Sequence, residues 1–130
     1  MTSQPPCIIA RLHGVLNIFS TTTLRERLHS TLRPGVMLLI IDLSGVSSCD
    51  TGGLAVLVGT QRRARARGIA VRLAAPGHQV VELLRSSGLD RSFTICATLA
   101  DAVPQRWGGG DRVALAEALD GVPVARNSVA

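Results

Sequence analysis

The chain has 130 residues, enough for one domain with its own core. Its apolar content of 46% fits a compact globular domain, and no apolar stretch approaches the ~20 residues of a membrane-spanning helix. The formal net charge is +5, carried by 14 arginines with no lysine, and only three residues (Phe19, Phe93 and Trp107) are aromatic.

Charge alone does not make a nucleic-acid protein. Four arginines cluster in Arg62-Arg63-Ala64-Arg65-Ala66-Arg67, where a helix is predicted to end and where cations complement the helix dipole while staying solvated. So few aromatic side chains cannot build a base-stacking platform, and no direct nucleic-acid contact is expected. Cys7, Cys49 and Cys96 are widely spaced, form no Cys-x-x-Cys motif and are expected to be free buried thiols. Residues 1–6 have neither the charged nor the apolar region of a secretory signal, so a cytoplasmic location without membrane insertion is expected.

In chain order, Cys7–Leu12 and Val15–Ile18 are short β-prone runs, and His13-Gly14 between them predicts a hairpin. Thr21-Thr22-Thr23 offers capping hydroxyls to a helix with Leu24, Leu28 and Leu32 on one face, stopped by Pro34-Gly35. The unbroken apolar run of residues 36–41, ending in Asp42, predicts a buried central strand. A short polar loop follows, then a helix from about Thr51 to Arg67 with Gly68 as its C′ residue. Val71 and Leu73 mark another strand, and Pro76-Gly77 leads into a helix carrying Val80, Leu83 and Leu84. Phe93–Cys96 reads as an edge strand, and Thr98 as the cap of a short helix reaching Val103. Beyond Trp107 the triplet Gly108-Gly109-Gly110 breaks regular order. Residues 111–119 could form only a marginal helical turn, so 106–130 is expected to be a flexible tail after a domain spanning 7–105. Alternating strands and about four helices predict a single α/β domain whose hairpin gives a mixed β-sheet.

The most informative stretch is Asp42-Leu43-Ser44-Gly45-Val46-Ser47-Ser48-Cys49-Asp50-Thr51-Gly52-Gly53-Leu54. Asp50 or Thr51 can cap the helix, whose first-turn N–H groups lack intrahelical partners. A phosphate on a hydroxyl at that point is accommodated by the positive end of the dipole. Two consecutive glycines in the first turn each cost up to about 1 kcal/mol relative to alanine. Close approach of another surface accounts for them, whether a partner or the protein's own packing, and Gly52, Ala55 and Gly59 prolong the small-residue strip.

This wording resembles the signature of the STAS domain of bacterial anti-sigma factor antagonists. The most specific parts are Asp42-Leu43-Ser44-Gly45-Val46 and Asp50-Thr51-Gly52-Gly53-Leu54, and Arg85-Ser86-Ser87-Gly88-Leu89 is similar to the family's helix-ending Ser-Gly-Leu. The resemblance covers roughly Ile8 to Val103. It implies an STAS-like fold and a role in transcription regulation by partner switching. The unmodified protein would bind an anti-sigma factor serine/threonine kinase, and phosphorylation at Thr51 would release it. Partner-binding residues carried over in this way are Asn17, Asp42, Ser44, Ser47, Ser48, Asp50, Thr51, Gly52 and Gly53. One departure stands out: the family usually has Gly-Glu-Leu-Asp where this chain has Gly14-Val15-Leu16-Asn17. The alternative implied by the resemblance is a non-switching STAS adaptor subunit of a lipid-trafficking transporter complex.

Enzymatic function is not expected. His13, His29 and His78 have no metal-ligand spacing, and neither a Gly-x-Gly-x-x-Gly nor a phosphate-binding loop with its lysine is present. No metal or other cofactor is expected.

Overall fold

The computed structural model describes residues 6–19 and 21–105, together with the backbone of the strand segments Val113–Leu115 and Leu119–Asp120. The elements are β1 (Cys7–Leu16), α1 (Thr21–His29), β2 (Leu38–Cys49), α2 (Thr51–Ala66), β3 (Ala70–Ala74) and α3 (His78–Ser86). A single 3-10 turn (Leu89–Arg91) then precedes β4 (Thr94–Cys96), α4 (Leu99–Ala102), β5 (Val113–Leu115) and β6 (Leu119–Asp120).

The sheet runs β4-β3-β2-β1-β5, with β6 also paired to β1. Because β1 to β4 are neighbours in sequence order, right-handed crossovers put α1, α2 and α3 on one face. The core beneath them is built from Ile8, Leu12, Leu39, Ile41, Leu43 and Leu73, closed by Leu24, Leu28, Leu57 and Leu84 from the helices. Alternate residues of the same strands (Cys7, Ile9, Leu38 and Ile40) form a smaller cluster on the other face with Ala102, Leu99 and Val103. Burial on both faces is why β2 begins as an uninterrupted apolar run.

The single α/β domain with four helices is as expected, with β4 at the sheet edge. Sheet direction differs from expectation. Every pairing between described strands is parallel, and the predicted hairpin is one continuous strand. Gly14 takes φ +84, but spends it on an irregularity within β1 rather than on a chain reversal. The predicted polar loop after Asp42 is likewise strand. β2 has 12 residues against 10 in β1, and the register shifts twice, between Arg11 and His13 and between Gly14 and Val15. Those bulges space the buried side chains of Leu43, Val46 and Cys49 three apart instead of two, which hides the strand period.

Helix α1 ends at His29, yet Leu32 stays buried in the turn beyond it. Where a helical turn was expected in 111–119, Val113–Leu115 is a strand pairing with Cys7–Ile9, and Leu119–Asp120 pairs with Leu12–His13. The rest of the tail, on which the expectation of flexibility falls, lies outside the described residues.

Candidate functional site at the start of α2

The strands are parallel, so their carboxyl ends share one edge, where open α/β sheets commonly bind ligands. β1 ends there at Leu16 and β2 at Cys49, paired in register. The Asp50 N–H donates to the Leu16 carbonyl at 3.0 Å, which fixes where β2 stops and α2 starts.

Asp50 is the N-cap. Its backbone is extended (φ −107, ψ −173), its Oδ1 accepts from the Gly53 N–H at 3.0 Å, and its carbonyl accepts from Leu54 at 2.9 Å. The cap is therefore the carboxylate and not the neighbouring hydroxyl. Thr51, the first helical residue, is exposed, and its hydroxyl has no hydrogen-bond partner among the described residues.

The two glycines are required from inside. A Cβ on Gly53 would lie 2.6 Å from the Leu16 carbonyl oxygen and 2.7 Å from the Leu16 Cβ. One on Gly52 would lie 2.9 Å from the Ile18 Cα. Of the two explanations open in the sequence, the protein's own packing accounts for the pair: the first turn of α2 rests on the end of β1. Gly59, by contrast, has nothing within 4 Å of a built Cβ, so the small-residue strip is not one continuous contact.

That packing brings the β1–α1 turn to the site. The Asn17 side chain accepts from the Phe19 N–H at 2.9 Å, and the Thr21 hydroxyl donates to the Ile18 carbonyl at 3.1 Å. The turn so held leaves Ile18 65% and Phe19 86% exposed. Solvent exposure of two adjacent large apolar side chains, one with its backbone against Gly52, marks a surface suited to a partner. Sequence reasoning placed Asn17 here and missed these two. Their signal was an Ile-Phe pair between a predicted strand and the capping threonines of the next helix, where polar residues are the norm.

The other expected site residues divide. Ser47 is exposed at the second bulge of β2, and Ser48 is half-buried beside it. Ser44 is exposed one bulge farther back. Asp42 does not reach the surface: it is 2% exposed, one oxygen accepts from Arg11 Nε at 3.2 Å, and the other accepts from the Ser44 N–H at 3.0 Å. It holds the first bulge in place and has no free face to offer a partner.

Gln79 was not anticipated. β3 pairs with β2 only as far as Asp42↔Ala74, so beyond that point this edge of β2 has no neighbouring strand. Gln79 from α3 fills the gap at Cys49. Its Oε1 accepts from the Cys49 N–H at 2.8 Å, and its Nε2 donates to the Cys49 carbonyl at 2.9 Å. One side-chain amide thus stands in for a peptide unit of the missing strand, immediately before the cap. The Cys49 thiol is buried, and burial, seconded by the Asp50 carboxylate, pushes it up to about 11. A thiol so held is not a nucleophile near neutral pH.

Among the described residues there is no group of three or more His, Cys, Asp or Glu placed to hold a metal ion. No described helix is long and apolar enough to cross a membrane.

A family model described as the STAS domain matches residues 1–102. The chain belongs to the STAS-domain family. Its fold is similar to that of the anti-sigma factor antagonist SpoIIAA in its unphosphorylated form (20% identity, TM-score 0.68, covering 85% of this chain and 96% of that one). It is also similar to a Thermotoga maritima protein assigned as an anti-sigma factor antagonist (26% identity, TM-score 0.64, 69% and 78% coverage). The STAS domain of a SulP transporter from Vibrio cholerae has the same fold (19% identity, TM-score 0.63, 78% and 80% coverage). In this STAS domain the Asp50-Thr51-Gly52-Gly53 segment forms the cap and first turn of α2.

Proposed function

We propose that this STAS domain is an anti-sigma factor antagonist whose binding surface is the start of α2 with the adjoining β1–α1 turn. Its partner is an anti-sigma factor that is also a serine/threonine kinase, and phosphorylation of Thr51 ends the binding. The observation that carries this reading is the division of labour at the helix start. Asp50 does the capping, which leaves the exposed Thr51 hydroxyl uncommitted at the positive end of α2.

The physics of such a switch is local. A phosphate adds about −1.5 to −2 charges at neutral pH. Its own protein tolerates it, because the first-turn N–H groups and the dipole favour an anion. A partner seated over Ile18, Phe19 and Thr51 instead meets added bulk, repulsion reinforced by Asp50, and the cost of desolvating a dianion. A loss of ~3 kcal/mol, about a hundredfold in affinity, follows from terms of this size. Phosphorylation assays on Thr51→Ala and Thr51→Glu test the proposal. The alanine variant keeps partner binding in the presence of ATP, and the glutamate variant binds weakly.

Val15 and Asn17, standing where the antagonist family usually has carboxylates, favour a second reading as a non-switching STAS adaptor of a lipid-trafficking transporter complex. On that reading Phe19 still anchors a partner, but Thr51→Glu leaves binding unchanged.

A further inference from the structure

The other end of α2, roughly 24 Å from Thr51 at 1.5 Å per residue, has a different character. Arg62, Arg63, Arg65 and Arg67 are all exposed there, with Arg25 on α1 and Arg33 in the turn after it. The two ion pairs between described residues are Arg11–Asp42 and Arg85–Glu82, and neither involves this group. Arg63, Arg25 and Arg67 lie close enough to His29 to reinforce burial in lowering its basicity, and the His29 Nε2 is buried without a hydrogen-bond partner. Like charges gathered with no ion pair to a carboxylate among the described residues, Glu26 beside Arg25 included, cost stability. Beside them is a cavity of about 510 Å³, within the range of ligand-binding pockets. Leu32, Val36 and Ile69 form its floor and Arg33 and Arg67 its rim. Arg67 is fixed in position, its Nη1 donating to the Leu32 carbonyl at 2.7 Å.

We propose that this cavity and its arginine rim are a second docking site, which takes an acidic segment of a protein partner carrying an apolar side chain such as leucine. The guanidinium groups pair with the carboxylates, bidentate geometry being their particular strength, while the apolar side chain enters the cavity. The shape decides between polyanions. The floor residues are 1% to 6% exposed and recessed, so neither the convex backbone of a DNA duplex nor a flat anionic membrane reaches them. A side chain on a peptide does. Because the site lies at the far end of α2, binding there is independent of the state of Thr51 and of whether that residue is a switch at all.

The test titrates the whole isotope-labelled protein with a short peptide alternating glutamate and leucine, following backbone amide signals by NMR. The expected result is a set of shifts confined to residues 32–36 and 63–69, absent with a peptide carrying lysine for glutamate. Arg33→Gln combined with Arg67→Gln weakens binding at least tenfold. Arg91→Gln, an exposed arginine elsewhere, leaves it unchanged. A stability measurement separates binding from structure: Arg63→Gln raises Tm because it relieves repulsion, while it weakens the peptide. Residues kept for binding commonly cost stability in this way. The proposal is overturned if the shifts scatter over the surface or the double variant binds like the parent. It fails equally if Arg63→Gln lowers Tm, or if a DNA duplex or phosphatidylglycerol vesicles perturb the same residues more strongly than the peptide.

Discussion

The two ends of α2 solve opposite problems. At its start the backbone is closely held: Asp50 caps the helix, Gln79 holds Cys49, and two glycines let the first turn rest on β1. The exposed Thr51 hydroxyl takes no part in that packing. At its end, arginine charge accumulates without an ion pair among the described residues, and cavity space replaces close contact. A crowded, satisfied site suits a reaction at one defined atom. An under-neutralised one suits the capture of a complementary chain. Close packing and net charge thus fall at opposite ends of a single helix.

The largest effect comes from crowding the tight end. Gly53→Ala drives a Cβ into the Leu16 carbonyl and should lower unfolding free energy by ~3 kcal/mol, measured by urea denaturation. Gly59→Ala has open space and an improved helix propensity, so it should stabilise by up to about 1 kcal/mol. Equal effects would mean that the start of α2 is packed no more closely than its middle. Any bulky replacement of Gly52 is likewise a perturbation of the fold, since Ile18 lies against it.

A smaller effect is expected with pH. The Cys49 thiol has its folded-state value raised from 9.0 to about 11, so the folded protein holds this proton more tightly than the unfolded chain. Its contribution is therefore complete below pH 9 and lost as the pH rises towards 11, with an upper limit of ~2–3 kcal/mol. Urea titrations of the parent and Cys49→Ala across that window should diverge at the low-pH end and converge at the top.

Smaller again is loss of the amide clamp. Gln79→Ala should cost ~1 kcal/mol and raise the rate of Cys49 alkylation by iodoacetamide about tenfold, while buried Cys7 reacts as before. Gln79→Glu sharpens the test. Its carboxylate still accepts from the Cys49 N–H but meets the Cys49 carbonyl without a donor, and protonation restores one, so the loss of stability relative to the parent should shrink as pH falls below ~4. Loss of the cap in Asp50→Ala is comparable, ~1 kcal/mol, whereas Thr51→Ala at an exposed position should change stability by less than ~0.5 kcal/mol.

Much of the tight end was legible in the sequence, because caps and glycines act over a few residues. Asp50, Thr51, Gly52 and Gly53 fall where the wording put them, at the cap and first turn. What depended on pairing between distant segments was not legible. His13-Gly14 has the composition of a hairpin, and only the parallel partner on each side of β1 keeps it a strand. Ser44–Cys49 reads as a loop because bulges break its alternation. Asp42 belongs to the motif but is buried against Arg11, which no spacing rule reveals. A glutamine early in α3 carries no signal at all until the fold brings it to the bare edge of β2.

The central claim is that Thr51 is the switched atom site, and one measurement meets it directly. The protein is incubated with ATP and a candidate anti-sigma factor kinase that binds it, then digested and sequenced by mass spectrometry. The account predicts a single phosphate, on Thr51, with release of the kinase as it accumulates and neither event in Thr51→Ala. Phosphate on Ser47 or Ser48, or a stable complex with no phosphate anywhere, would contradict it.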